Sequence, residues 1–345
     1  MPASDSVLAR RPVPDRVVGC LLGGAVGDAL GGPVEFLTLA EIRARYGREG
    51  IRDLVPSYGR LGAITDDTQM TLFTAEGLLQ ARRRGRERGI WHPPTMVYHA
   101  YLRWLETQGL TPPYPFLEAR DGDLLRLPAL HARRAPGNTC LSALASGRMG
   151  TLEAPLNDSK GCGGVMRAAP AGLIGVDDPF TLGCEVAAIT HGHPSGYLAA
   201  GFLADMVATL AAGASLTEAV ARARASLQRW PRHEECLAAV DEALRLAQTA
   251  PPVAETLERL GAGWVAEEAL AIALFAAAAT SDFERGVVLA VNHGGDSDST
   301  GAIAGNLLGT WLGPAAIPER WLEPLELRAE IAPLAGALAD EEDAR

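Results

Sequence analysis

Two short acidic clusters, Thr65-Asp66-Asp67-Thr68 and Asp296-Ser297-Asp298-Ser299, lie more than two hundred residues apart, and a helical pattern follows each directly. After the first come Leu72, Ala75 and Leu79; after the second, Ile303, Leu307, Leu308 and Trp311 mark one helix face. Both clusters therefore sit at predicted helix N-termini, where Asp, Ser and Thr are favoured caps. One cap needs only one such residue, and each cluster offers three or more oxygen side chains. If the clusters converge, four carboxylates crowd together, and their repulsion costs stability unless cations neutralise it. Oxygen-only donors suit Mg²⁺ or Mn²⁺, and that much negative charge invites two ions. Convergence would also close the chain into one cooperative unit.

At 345 residues there is ample material for a core. Aromatics are 6% of residues and β-branched runs are scarce, whereas Ala and Gly abound, so the expected class is all-α, a compact single-domain orthogonal helix bundle with the site at helix ends. No linker and no repeat of 20 to 50 residues interrupts it. The expected organisation is a flexible N-terminus over 1–14, one domain over 15–338 and a flexible tail over 339–345. Helical patterns run from Asp15 to Leu30 and over Thr95–Glu106, Phe180–Thr190, Tyr197–Ala212, Leu216–Trp230, Glu234–Gln248 and Val265–Thr280. In the first, Gly23, Gly24 and Gly27 permit close backbone contact. Gly301, Gly305 and Gly309 recur every fourth residue in the last and predict tight helix packing.

The net charge of −11 disfavours nucleic-acid or anionic-membrane partners. The basic run Arg82 to Arg88 reads as a solvated helix exit, where cations suit the dipole. Five cysteines, an odd number without CxxC spacing, argue against a disulfide framework or a zinc site. The longest apolar run, Ala269 to Ala279, is too short to span a bilayer, and the start lacks an apolar signal core, so a cytoplasmic monomer is the expectation.

Three further places carry chemistry. Glu35, between Val34 and Phe36 after the turn Gly31-Gly32-Pro33, is a loop carboxylate or an acid placed in a partly apolar cleft. In Lys160-Gly161-Cys162-Gly163-Gly164-Val165, glycines free backbone N–H groups to meet an anion, and Lys160 is the chain's only lysine. The spacing is neither GxGxxG nor GxxxxGK[ST]. His191 and His193 have no third soft ligand in the sequence, so hydrogen bonding from His191 to a substrate is favoured over metal ligation.

In combination and order, GDALGxPVE, TDDT, KGCGGVMR, ITHxHP, GxGWVAEEAL (Gly261 to Leu270) and GGDSDSTGAIAG resemble the ADP-ribosylglycohydrolase family across residues 15 to 315. The resemblance implies an all-α fold with a binuclear Mg²⁺ or Mn²⁺ centre held by Thr65, Asp66, Asp67, Asp296, Asp298 and Ser299. Ser299 stands where Thr is common, and it keeps the hydroxyl. Glu35 matches an acid close to the metals, with Asp67 and Asp298 as further catalytic candidates. Gly161 through Val165 match the loop along the ADP-ribose diphosphate, with Lys160 beside it. His191 matches a histidine beside the substrate, Trp264 lies near the nucleotide wall, and Cys162 stands where some members have Asn. The implied reaction releases ADP-ribose from an ADP-ribosylated protein, arginine-linked first, or from a small ADP-riboside. Pro112 to Leu124, with Glu118, Asp121 and Asp123, could meet a guanidinium or be a solvated loop. Two alternatives stand beside this: a non-catalytic ADP-ribose-binding relative, and a haloacid-dehalogenase-type phosphatase through the DxDxT string at Asp296. The latter needs a preceding strand and an α/β domain downstream, but only 45 residues follow Thr300.

Overall fold

The computed structural model describes residues 12–340, and those residues contain no strand, only two isolated bridges, Ser57 with Arg60 and Gly161 with Val265. Fifteen α-helices follow in order: α1 (Pro14–Gly31), α2 (Leu39–Tyr46), α3 (Asp66–Arg88), α4 (Pro93–Thr107), α5 (Asn138–Ala145), α6 (Pro179–Ala188), α7 (Pro194–Ala211) and α8 (Leu216–Leu227). Then come α9 (Glu234–Thr249), α10 (Ala254–Leu257), α11 (Ala266–Ala278), α12 (Phe283–Val291), α13 (Ser297–Leu312), α14 (Glu319–Leu322) and α15 (Arg328–Ala339). The first proline of each of α1, α4, α6 and α7 occupies the N-terminal turn, where its missing N–H costs nothing. The segments expected to be flexible, 1–14 and 339–345, fall mostly outside the described residues. Of their described part, Val13 donates its amide to the Ala211 carbonyl at 2.8 Å, Pro14 opens α1 and Ala339 closes α15.

The pairing of α1 with α13 organises the site. A Cβ placed on Gly19, Gly23, Gly27 or Gly31 would lie 2.2, 2.4, 2.0 and 2.2 Å from the carbonyl oxygens of Gly309, Gly305, Gly301 and Ser297 respectively. Each step of four along α1 is matched by a step of four back along α13, so the two backbones run antiparallel in direct contact. The C-terminus of α1 is thereby brought against the N-terminus of α13, and the turn carrying Glu35 meets the second acidic cluster. Asn306 adds a hydrogen bond from Nδ2 to the Cys20 carbonyl, 2.8 Å.

Helix propensity and packing make opposite predictions for these glycines, and their magnitudes differ. In isolation Gly→Ala in a helix interior gains about 1 kcal/mol. At Gly305 the added methyl would meet the Gly23 carbonyl at 2.0 Å, an overlap that only backbone separation relieves, at roughly 3 kcal/mol or more. Gly305→Ala is therefore expected to lower the thermal midpoint strongly. Gly336→Ala on α15, where a Cβ meets nothing within 4 Å, should leave the midpoint unchanged or raise it. Thermal denaturation of the two variants checks the pair.

The helix patterns expected from the sequence match α1, α3, α4, α6, α7, α8, α9, α11 and α13 to within a few residues at their ends. The basic run forms the last turns of α3, with one difference from a solvated exit. Arg82 donates to the carbonyls of Ala337, Leu338 and Asp340 at 2.9 to 3.1 Å and to Ile174 at 2.9 Å. It thus satisfies carbonyls that the end of α15 leaves open.

Candidate active site

The two acidic clusters meet. Glu35, Asp66, Asp67, Asp296, Asp298 and Ser299 line one cleft of about 330 Å³ together with Gly161, Cys162, Gly163, His191 and Trp264. Carboxylate oxygens of Glu35, Asp296 and Asp298 lie within 4.8 Å of one another. Asp66 and Asp67 begin α3 and Asp298 lies in the first turn of α13, so the positive ends of two helix dipoles face the carboxylates.

A residue that sequence reasoning gave no role sets this geometry. Asp28, fully buried on α1, accepts the backbone N–H of Thr65 at 2.9 Å and that of Thr68 at 3.1 Å, and the Thr68 hydroxyl as well. One carboxylate thus holds the whole turn that carries Asp66 and Asp67. The available signal was an acid within the apolar stripe of a helix, where burial demands partners. The cleft wall at Ala135 to Cys140 was also not foreseen. It reaches the first cluster through the Gly137 N–H, 3.4 Å from Asp66 Oδ2, and Arg134 O, which accepts the Asp66 N–H at 3.3 Å.

The electrostatic cost of this convergence is plain. Burial, and after it the charge of Asp298, pushes Asp66, Asp67 and Asp296 well above the usual carboxylate range. Glu35 is pushed up to about 11 by burial and then by Asp298, Asp296 and Asp66. Asp28 rises to about 7, mainly through burial and then Asp298, against the lowering effect of its threonine donors. Asp67 Oδ1 and Glu35 Oε2 are buried with no hydrogen-bond partner. Orphaned carboxylate oxygens facing a polar cavity fit a cation, which would reverse these shifts.

Thr65 is fully buried, does not line the cleft, and uses its hydroxyl as the α3 cap, accepting the Asp67 N–H at 3.3 Å. Ser299 does reach the cleft, with Oγ 3.6 Å from Cys162 Sγ and 3.8 Å from Met166 Sδ. The glycine loop makes one 3₁₀ turn, Cys162–Gly164, whose first amide, that of Cys162, donates to the Trp264 carbonyl at 3.1 Å. Gly161 and Gly163 line the cleft, while Gly164 and Val165 are buried behind it.

Lys160 needs correction. Its Nζ is 2.6 Å from Glu235 Oε1 and is also bonded to Glu267, and the residue is not among those lining the cleft. Two carboxylates answer its charge, so it ties the loop to α9 and α11 and does not face a phosphate. Nor does Pro112 to Leu124 reach the cleft. Asp121 and Asp123 line a separate groove with Arg82, Arg83 and Arg86.

His191 is buried under the glycine loop, and a Cβ on Gly163 would lie 3.1 Å from its ring. Burial, and then the neighbouring Arg167, lowers its pKa to about 3, so the ring is neutral. Arg167 donates to Thr190 Oγ1 at 2.7 Å, and that hydroxyl is hydrogen-bonded to His191 Nδ1 at 2.8 Å. Nε2 is the ring nitrogen nearer the glycines, within 3.4 Å of a Cβ placed on Gly161 or Gly163. His193 caps α7 instead, accepting the Ser195 N–H at 3.2 Å. At the mouth, Phe36 stacks on Trp264 with ring centroids 5.3 Å apart. Phe36 holds a left-handed conformation, φ 67°.

Fold and site together define an all-α protein whose widely separated acidic clusters close on one carboxylate-rich cleft. The chain belongs to the ADP-ribosylglycohydrolase family, whose sequence pattern matches residues 9–345. It is 32% identical over 331 residues to an uncharacterized protein of Archaeoglobus fulgidus, covering 92% of this chain and 94% of the other. It is also 30% identical to the ADP-ribosyl-[dinitrogen reductase] glycohydrolase of Rhodospirillum rubrum, covering 92% of each. Among solved structures, a chain of an "ADP-ribosylglycohydrolase-related protein complex" superposes with a TM-score of 0.69 at 32% identity, covering 94% of this chain and 97% of that one. No helix among the described residues is long and apolar enough to cross a membrane. Asp296 to Thr300 opens a helix in a chain without strands among those residues, which removes the phosphatase alternative.

Proposed function

We propose that this protein is a divalent-metal-dependent hydrolase that cleaves the glycosidic bond between ADP-ribose and an acceptor, with ADP-ribosylarginine on protein as the leading substrate. The observation that carries the reading is the convergence of Glu35, Asp66, Asp67, Asp296 and Asp298 on one cleft edged by the glycine loop. The arginine linkage draws support from the name of a relative 24% identical over 94% of this chain, the ADP-ribosylarginine hydrolase Tri1 of Pseudomonas putida.

Asp66, Asp67, Asp296 and Asp298, with the hydroxyl of Ser299, would hold two Mg²⁺ or Mn²⁺ ions, while Thr65, which does not line the cleft, would hold the turn that carries Asp66 and Asp67. When bound, such ions polarise ribose hydroxyls and lower the pKa of water toward neutrality. The chain's own groups do the rest. Glu35, at the cleft edge with one oxygen unpartnered, takes the proton of the attacking water or supplies one to the leaving group. After burial, the charges of Asp298, Asp296 and Asp66 set the balance that decides whether Glu35 is ionised. Gly161 and Gly163 allow close backbone approach to the diphosphate, and the neutral ring of His191 lies beneath them. Binding energy from that remote end positions the anomeric carbon. Phe36 and Trp264 flank the entrance.

A panel of ADP-ribosyl peptides with arginine, serine and other linkages, incubated with Mg²⁺, Mn²⁺ or chelator, tests the proposal. Metal-dependent release of ADP-ribose from the arginine conjugate is expected. Stable binding of ADP-ribose with no release from any conjugate would favour a non-catalytic relative.

A further inference from the structure

Arg167, which ends the glycine-loop segment, is fully buried and has no task in the chemistry above. Two other arginines are buried among the described residues, and each meets a carboxylate: Arg103 pairs with Glu76 at 2.6 Å and Arg134 with Glu326. Arg167 has no carboxylate partner among those residues. Its guanidinium donates to Thr190 Oγ1 at 2.7 Å, to the Val186 carbonyl at 3.5 Å and to two weak sulfur acceptors, Cys140 Sγ at 3.3 Å and Met70 Sδ at 3.5 Å. Its Nε finds no acceptor. The Tyr101 ring, 4.3 Å from the guanidinium carbon, softens the cost without neutralising the charge. An uncompensated buried charge is strongly unfavourable, so an anion arriving opposite it is favoured by more than a surface pairing would give.

The position of Arg167 says where that anion sits. Cys140 and His191 stand between the guanidinium and the cleft, and both line the cleft. A Cβ on Gly163 would lie 2.9 Å from Cys140 Sγ and 3.1 Å from the His191 ring, and Thr190 joins Arg167 to His191 Nδ1. Burial keeps the Cys140 thiol and the His191 ring neutral, so neither cancels the charge that reaches the loop. The interior also screens it little. We propose that Arg167 is the positioning residue for the substrate's diphosphate, supplying from behind Gly163 the positive charge that Lys160 does not, and so selecting dianionic ligands without touching them. The inference rests on the proposed function, which lays a diphosphate along that loop.

The test titrates full-length protein in Mg²⁺ with ADP-ribose by calorimetry and with adenosine, which shares the nucleoside and lacks the charge, by ligand-observed NMR. Arg167→Met and Arg167→Gln remove the charge with little change of size. Both should bind ADP-ribose at least ~10-fold more weakly and adenosine within about twofold of wild type. Arg167→Lys keeps the charge and should hold ADP-ribose within about threefold. Neutral variants that keep the wild-type preference for ADP-ribose over adenosine, or that lose both ligands alike, overturn the inference and leave the proposed function standing. An Arg167→Lys protein as weak as the neutral variants does the same. Wild type that binds adenosine as tightly as ADP-ribose removes the diphosphate from the loop, and with it both this inference and the proposed placement of the substrate.

Discussion

Asp298→Asn is expected to abolish turnover and at the same time to make the metal-free protein more stable. Asp298 is the charge that raises Glu35, Asp28, Asp66, Asp67 and Asp296 together. Asn keeps the shape and removes the charge. Two of these groups define a pH window. Asp28 rises from 3.8 to about 7 and Glu35 from 4.5 to about 11. A carboxyl with a raised folded-state pKa contributes stability that is fully present below its unfolded value and lost as pH rises through the folded one. The metal-free wild type should therefore lose stability as pH climbs from near 4 through 7 and beyond, and Asp298→Asn should flatten that decline. Divalent metal should stabilise the wild type most at the alkaline end, and the variant little, because metal binds the ionised cluster. Turnover should fall at least ~10²-fold, on the scale of about 3 kcal/mol for a lost metal contribution. Thermal melts across pH, with metal and with chelator, check all of these points. A variant less stable than wild type at alkaline pH in chelator would show that Asp298 is structural.

Glu35→Gln separates chemistry from binding. The side chain projects from a turn, lies at the cleft edge and has one oxygen without a partner, so its removal deprives the fold of little. kcat should drop by at least ~10²-fold, the usual scale of a general acid-base group, while ADP-ribose affinity stays within about tenfold. A variant that unfolds readily but keeps its rate per folded molecule would reassign Glu35 to structure.

The acidic clusters were legible because each combined a helix start with more oxygen donors than a cap requires, and the glycines of α13 because their spacing repeats every four residues. Their mutual register was not legible, since nothing in either helix names its partner. Asp28 escaped for a related reason. Its donors, Thr65 and Thr68, lie 37 and 40 residues away, and only tertiary structure joins them. Lys160 misled through its rarity, because the acids that hold it, Glu235 and Glu267, come from two other helices. The segment after α4 has no period at all. Its path is fixed by Glu76, which pairs with buried Arg103 at 2.6 Å and accepts the Leu124 N–H at 3.0 Å. Helix α15 carries Pro333 within it, which breaks the pattern that sequence reading relies on.

The most direct test of the central claim is the identity of the bond that breaks. Hydrolysis of an ADP-ribosylarginine peptide in ¹⁸O water with Mn²⁺, followed by mass spectrometry, should place the label on the released ribose, with both phosphates retained and the arginine restored. AMP together with a ribose phosphate left on the peptide would mean that the same carboxylates serve a pyrophosphate hydrolase, and it would contradict both the reaction and the placement of the diphosphate along the glycine loop.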